Sequence, residues 1–185
     1  APETLTEQFA LTFFQDIVRS ENYGVFGDSP EELVAQAANS LATQATDSLF
    51  TEDDIFITNN NSPGALAAYG EAVASIIASY SEKNAQTEIE IFTQALRSQN
   101  EADLAELDSK IQAYGQYVDR TKNLPVPDSM VREHLNLLNS YQAIQSDIIA
   151  MRNAFTDPML ALLRTKRFED DATGLLVSLG NLYTA

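Results

Sequence analysis

Residues 50–64 read FTEDDIFITNNNSPG, and Asp53, Asp54 and Asn59 are residue types that hold a hard cation through oxygen. A calcium loop wraps its ion with oxygen ligands at alternating positions, a central glycine and a closing glutamate at the twelfth position. Counted from Asp54, the sixth residue is Asn59 and the twelfth is Ala65, so neither the sharp turn nor the closing carboxylate is present. The same residues have ordinary work in a turn. Asp53 and Asp54 are polar loop residues, IFI is a short extended piece that buries Ile55 and Ile57 or Phe56, and Asn59 to Ser62 form turns ending in a helix cap at Ser62. The expected reading is loop and cap, with weak cation association by an acidic surface as the alternative.

The single histidine, His134, falls on an apolar helical stripe, where a buried ring with a hydrogen-bond partner is expected. A di-metal carboxylate bundle needs two Glu-x-x-His pairs, and residue 131 is valine. No GxSxG elbow accompanies the histidine, and neither GxGxxG nor GxxxxGK[ST] occurs, so the common hydrolase and nucleotide signatures are missing. The 27 acids offer many carboxylate pairs for a hydrolase, but sequence does not show which converge. Tyr69, Tyr80, Tyr114, Tyr117 and Tyr141 could line a groove, although most fall on core stripes. No catalytic residue, cofactor or metal is assigned.

These residues must be positioned by a chain of 185 residues, 44% apolar, the size of one domain with a continuous core. Only 7 Gly and 6 Pro occur, and no run of about 18 apolar residues would span a membrane. The absence of cysteine removes disulfides and thiolate chemistry. Residues 1–109 hold 3 basic and 19 acidic side chains, a balance of −16, whereas residues 110–185 hold 8 of each. Such a field repels nucleic acid and anionic lipid. The one basic cluster, Arg164, Lys166 and Arg167, precedes Glu169, Asp170 and Asp171. It reads either as a solvated, charge-paired helix face or as a docking patch for a protein partner.

Helical periodicity recurs along the chain, predicting an all-α, single-domain antiparallel bundle of about six to seven helices over residues 1–185. The first segment, about Thr4 to Asn22, aligns Phe9, Phe13 and Ile17, with Phe14 and Val18 beside them. A second helix, Pro30 to about Leu49, is capped by Ser29 and carries a small-residue face of Leu33, Ala37, Leu41 and Ala45. The third follows Ser62 with Leu66, Tyr69, Val73, Ile76 and Tyr80; a shorter fourth carries Ile89, Phe92 and Leu96. Asn100 caps a fifth with Leu104, Leu107, Ile111, Tyr114 and Val118, and LPVPDS breaks the chain at its two prolines. Asp128 or Ser129 is the expected cap of the sixth helix, whose stripe Met130, His134, Leu137, Tyr141, Ile144, Ile148, Met151 and Phe155 marks it as central. Thr156 or Asp157 caps a last segment bearing Leu162, Leu163, Phe168, Leu175, Leu176 and Leu179, with a bend or break expected near Gly174.

The phrases NNNSPGALAAYGEAV, LPVPDSMVREHLNLLNSY and DPMLALL resemble recurring phrases in uncharacterised helical proteins of reduced-genome candidate-phylum bacteria. The resemblance runs from about residue 53 to 163 and rests on turns and caps, so it transfers no catalytic residue. It implies an exported or membrane-tethered protein with a leader or anchor helix ahead of a helical domain. The start APETLTEQF, without an initiator methionine, reads as a processed, exported form, with a trimmed cytoplasmic protein as the alternative. The expected function is therefore noncatalytic protein–protein interaction in a cell-envelope, secretion or pilus-like assembly. The alternatives are a binder of a small molecule or divalent cation and, behind it, a carboxylate-dependent hydrolase.

Overall fold

A computed structural model describes residues 3–23, 47–79 and 86–184, with the side chains of 16–23 excepted. The described residues form six α-helices: α1 (Leu5–Tyr23), α2 (Pro63–Ala78), α3 (Glu88–Ser98), α4 (Leu107–Lys122), α5 (Val131–Arg152) and α6 (Pro158–Thr184). The fold is all-α apart from two short strands, β1 (Phe56–Thr58) and β2 (Pro125–Pro127). The expected contributions of Ile17, Val18, Ser29 and Tyr80, and the small-residue helix face at 33–45, lie outside the described residues. Where the description resumes, at 47–50, the chain is irregular rather than helical. No described helix is long and apolar enough to cross a membrane.

The 22-residue α5 is the central element, as its unbroken stripe predicts. Its first half packs Leu137, Leu138 and Tyr141 against Tyr69 and Val73 of α2, Val118 of α4 and Val126 of β2. Its second half packs Ile144, Ile148 and Met151 against Ile91, Phe92 and Ala95 of α3, Leu104, Leu107 and Ala161. Because Leu107 meets the end of α5 and Val118 its beginning, α4 and α5 run antiparallel. Gly115 permits their close approach: a Cβ there would stand 2.8 Å from Nε2 of Gln145. Phe155, the expected end of the stripe, lies beyond the helix and is exposed.

Local chemistry accounts for most helix ends. Ser62 accepts the Ala65 amide at 3.3 Å with Pro63 at the first helical position. Thr87 and Glu90 form a reciprocal capping box on α3. Asn100 caps a short 3-10 turn, Glu101–Glu106, that leads into α4. Neither Asp128 nor Ser129 caps α5, contrary to expectation; they lie in a 3-10 turn and bond to Asn61, whose amide donates to Asp128 and whose Oδ1 accepts from the Ser129 hydroxyl at 2.9 Å. This lash and the parallel pairing of Ile57 with Val126 join the two breaks that flank α2 and α5.

Two expected faces and one expected break need correction. On α3 the buried residues are Ile91, Phe92 and Ala95, while Ile89 and Leu96 are exposed. On α6 Leu162 and Leu176 point outward, and the inner face carries Ala161, Arg164 and Ser178 instead. Nor does α6 break at Gly174; it continues for 27 residues.

Asp157 caps two helices at once. Its carboxylate accepts the Leu160 amide at the start of its own helix, and the Leu5 and Thr6 amides and the Thr6 hydroxyl at 2.8, 3.0 and 2.6 Å. Burial pushes this carboxyl up, but the bonds from Thr6, Leu5 and Leu160 outweigh it and hold it below its ordinary range. Asp157→Ala is expected to cost about 2 kcal/mol at pH 7 by urea denaturation, from a lost cap and stranded amides. A group with a depressed folded pKa stabilises above its unfolded value, so the gap between wild type and variant should narrow as pH falls below about 4.

Candidate functional site

In the acidic stretch that opens the described middle of the chain, Asp54 has a structural role. Asp54 closes a 3-10 turn, Glu52–Asp54, by accepting the Thr51 amide and hydroxyl at 2.9 and 3.1 Å. Those bonds, led by the backbone one, lower its pKa, and Lys122 lies 4.0 Å away. Asp53 and Asn59 are exposed, on opposite sides of β1 in sequence. Among the described residues no group of three or more His, Asp or Glu side chains is placed to hold a metal ion. Ile55 and Ile57 are half-buried and Phe56 is exposed, which settles the side on which IFI packs.

His134 is fully buried, with Nδ1 2.9 Å from the Tyr69 hydroxyl on α2 and no hydrogen-bond partner at Nε2. Burial pushes its pKa down to about 4, so the ring is neutral and ties α2 to α5. Tyr114, Tyr117 and Tyr141 also pack. Tyr117 stacks on Tyr141 at 5.1 Å between centroids and meets Tyr114 edge-on, and burial raises the Tyr114 hydroxyl to about 12.

The basic cluster separates into different environments. Lys166 is exposed, but Arg164 is buried and contacts Asp47 at 2.7 Å and Asp147 at 3.5 Å. Arg167, half-exposed, contacts Asp47 at 3.2 Å and Asp171 at 3.4 Å. Arg164 is thus neither a solvated face residue nor available to a partner, because the inner face of α6 turns it onto α5. Asp147 on α5 and Asp47, each within reach of Arg164, were not distinguishable from the other acids by sequence, although Arg164 and Asp171 are seven residues apart and therefore share a helix face.

Among the described residues a groove of about 660 Å³ lies between α2 and the end of α6. Leu66, Tyr69, Val73 and Ile77 form one wall, Leu179, Leu182 and Tyr183 the other, with Met130 between them. Gly70 and Gly180 also line it, and a Cβ on either would meet nothing within 4 Å. No charged side chain contributes to the lining. Sequence periodicity located Leu66, Tyr69 and Val73 but assigned them all to the core. The signal for a groove was the run GLLVSLGNLYT, rich in leucine and without a charged residue over three helical turns, where a solvated helix end usually carries charges.

No protein-family model, curated protein or solved structure matches the chain.

Proposed function

We propose that this domain is a noncatalytic binding module whose α2–α6 groove receives an apolar helical segment of a protein partner, flanked by Lys or Arg. The observation that carries the reading is an open, uncharged trough between two helices in a strongly acidic protein. From Ala172 to Thr184 α6 has no charged residue, and Glu71 is the only one on α2. Leu176, Val177 and Tyr183 leave large apolar surface uncovered beside the groove. Leu66 to Ile77 spans about 16 Å, three helical turns, enough for an i, i+3, i+7 set of anchors. Gly70 and Gly180 leave room for a backbone to come close.

A small-molecule site would need converging polar groups to orient its ligand. The polar side chains here are Tyr69, engaged by His134, and Tyr183 at the rim. The charge of −16, carried by residues 1–109, selects a partner with basic flanks and speeds its approach. A carboxylate hydrolase is not favoured, because Asp147 is sealed inside the α5–α6 seam with Arg164 rather than facing a cleft. A location outside the cytoplasm is supported by the resemblance of the sequence phrases alone.

The test uses a fluorescently labelled amphipathic helix of Leu and Lys, together with a scrambled peptide of equal composition. Saturable binding of the amphipathic peptide is expected, weakened at least about tenfold by Gly180→Phe, which fills the trough from a position with open space around it. Equal binding of the scrambled peptide, or no effect of Gly180→Phe, defeats the reading. Uptake of a compact apolar molecule with refusal of both peptides would return the groove to a small-ligand pocket.

A further inference from the structure

Asp47, Asp147, Asp171, Arg164 and Arg167 bring three carboxyls to two guanidiniums in the seam between α5 and α6. The donors are unevenly distributed. Asp47 takes both arginines, at 2.7 Å from Arg164 and 3.2 Å from Arg167. Asp147, with no exposed surface, has no hydrogen bond at either carboxyl oxygen, and Oδ2 of Asp171 is likewise buried without one. Each keeps an arginine at ion-pair distance, Arg164 3.5 Å from Oδ1 of Asp147 and Arg167 3.4 Å from Oδ2 of Asp171, but neither oxygen receives an aligned hydrogen bond, and Asp171 acts on Asp147 through both its charge and its carboxyl hydrogen-bonding capacity. One proton between them satisfies both sides and leaves two negative charges facing two positive ones.

We propose that this cluster is a proton-dependent latch: one proton shared by Asp147 and Asp171 leaves both arginines on Asp47, and loss of that proton draws them inward and releases Asp47. Among the described residues the charged groups acting on Asp147 are Asp171, Arg164 and Arg167, all from α6; Asp47 acts from the irregular segment through the arginines. Burial, then Asp171, raise the Asp147 carboxyl to about 7 against the opposing pull of the arginines, which places the transition near neutrality. The released element is defined by what Asp47 precedes. Ser48 accepts from Gln142 at 2.7 Å, and Phe50 exchanges hydrogen bonds with Asn139 at 2.7 and 3.2 Å, so Asp47 anchors one end of a strap laid over α5.

The sign follows from linkage. A carboxyl with a raised folded pKa binds its proton in the folded state while the unfolded chain has lost it, so the latch is strongest at acid pH and weakens as pH rises through the folded value. His134, buried neutral, weakens the fold in the opposite direction, as pH falls from about 6.5 toward 4. Its contribution is common to wild type and to variants in the cluster, and it cancels in their comparison.

The experiment is hydrogen exchange of the Phe50 amide, which Asn139 protects, between pH 5.5 and 8.5 and corrected for intrinsic rates. Wild type should open more than about tenfold more often at pH 8.5 than at pH 5.5. In Asp147→Asn the amide group supplies a permanent donor to Asp171, and opening should no longer depend on pH. Asp171→Asn should behave likewise, which keeps the test decisive if one variant folds poorly. Infrared spectra of wild type at pH 5.5 should carry a protonated-carboxyl band in a non-aqueous environment that Asp147→Asn lacks. Wild-type opening that is independent of pH, or a pH response that survives in both Asn variants, overturns the latch.

Discussion

Arg164→Ala is expected to destabilise the protein by about 3–5 kcal/mol at pH 8, the range for removing one partner of a buried ion pair. Most of that cost lies in the charges the substitution would strand. Asp147 would remain sealed in the seam without the arginine that stands 3.5 Å from it. At pH 5 the penalty should shrink, because Asp147 can escape its uncompensated charge by holding a proton. Lys166→Ala, two residues on and exposed, should stay within about 0.5 kcal/mol. Denaturant titration of the three proteins at both pH values checks the prediction. Replacing Arg164 and Asp147 together by Met and Leu should recover much of the stability, since buried ion pairs are often matched by apolar pairs of similar volume. If Arg164→Ala and Lys166→Ala behaved alike, the seam would have to be solvated and the network worth little.

That network also marks the limit of what sequence could convey. The α5 stripe was legible because every member of Met130, His134, Leu137, Tyr141, Ile144, Ile148 and Met151 is buried and all but His134 are apolar. On α6 the inner face has the same regularity, at Ala161, Arg164, Phe168, Ala172, Leu175, Leu179 and Leu182, but an arginine and small residues interrupt its hydrophobicity. Leu162 and Leu176 outside it gave the stronger apolar signal, and the charge at 164 read as surface because charges are seldom buried without partners. Its partners lie far away in sequence, at Asp47 and Asp147, which no local pattern can announce. The same holds for the β1–β2 pairing and the Asn61 lash to Asp128 and Ser129, whereas the caps at Ser62 and Asp157 were legible because they act within one turn. The groove was hidden by a different ambiguity: Tyr69 and Val73 are both core and wall, so their periodicity is the same in either role.

A pair of core and surface truncations turns this reading of α5 and α6 into numbers. Ile148→Ala should cost about 3 kcal/mol, because Ile148 has no exposed surface and sits among Leu104, Leu107 and Met151, where a cavity cannot fill from solvent. Leu176→Ala, which removes a side chain of comparable size from an exposed position, should change stability by less than about 0.5 kcal/mol. The contrast is informative because sequence counted both residues among the apolar positions of their helices. Leu176 should instead matter when the groove is occupied: as apolar surface beside it, its truncation should weaken capture of the amphipathic peptide while leaving the denaturation midpoint in place. Equal destabilisation by the two truncations would mean that the outer face of α6 is already covered within the folded chain. The helix would then have no free apolar surface to offer, and the groove would lose the partner assigned to it.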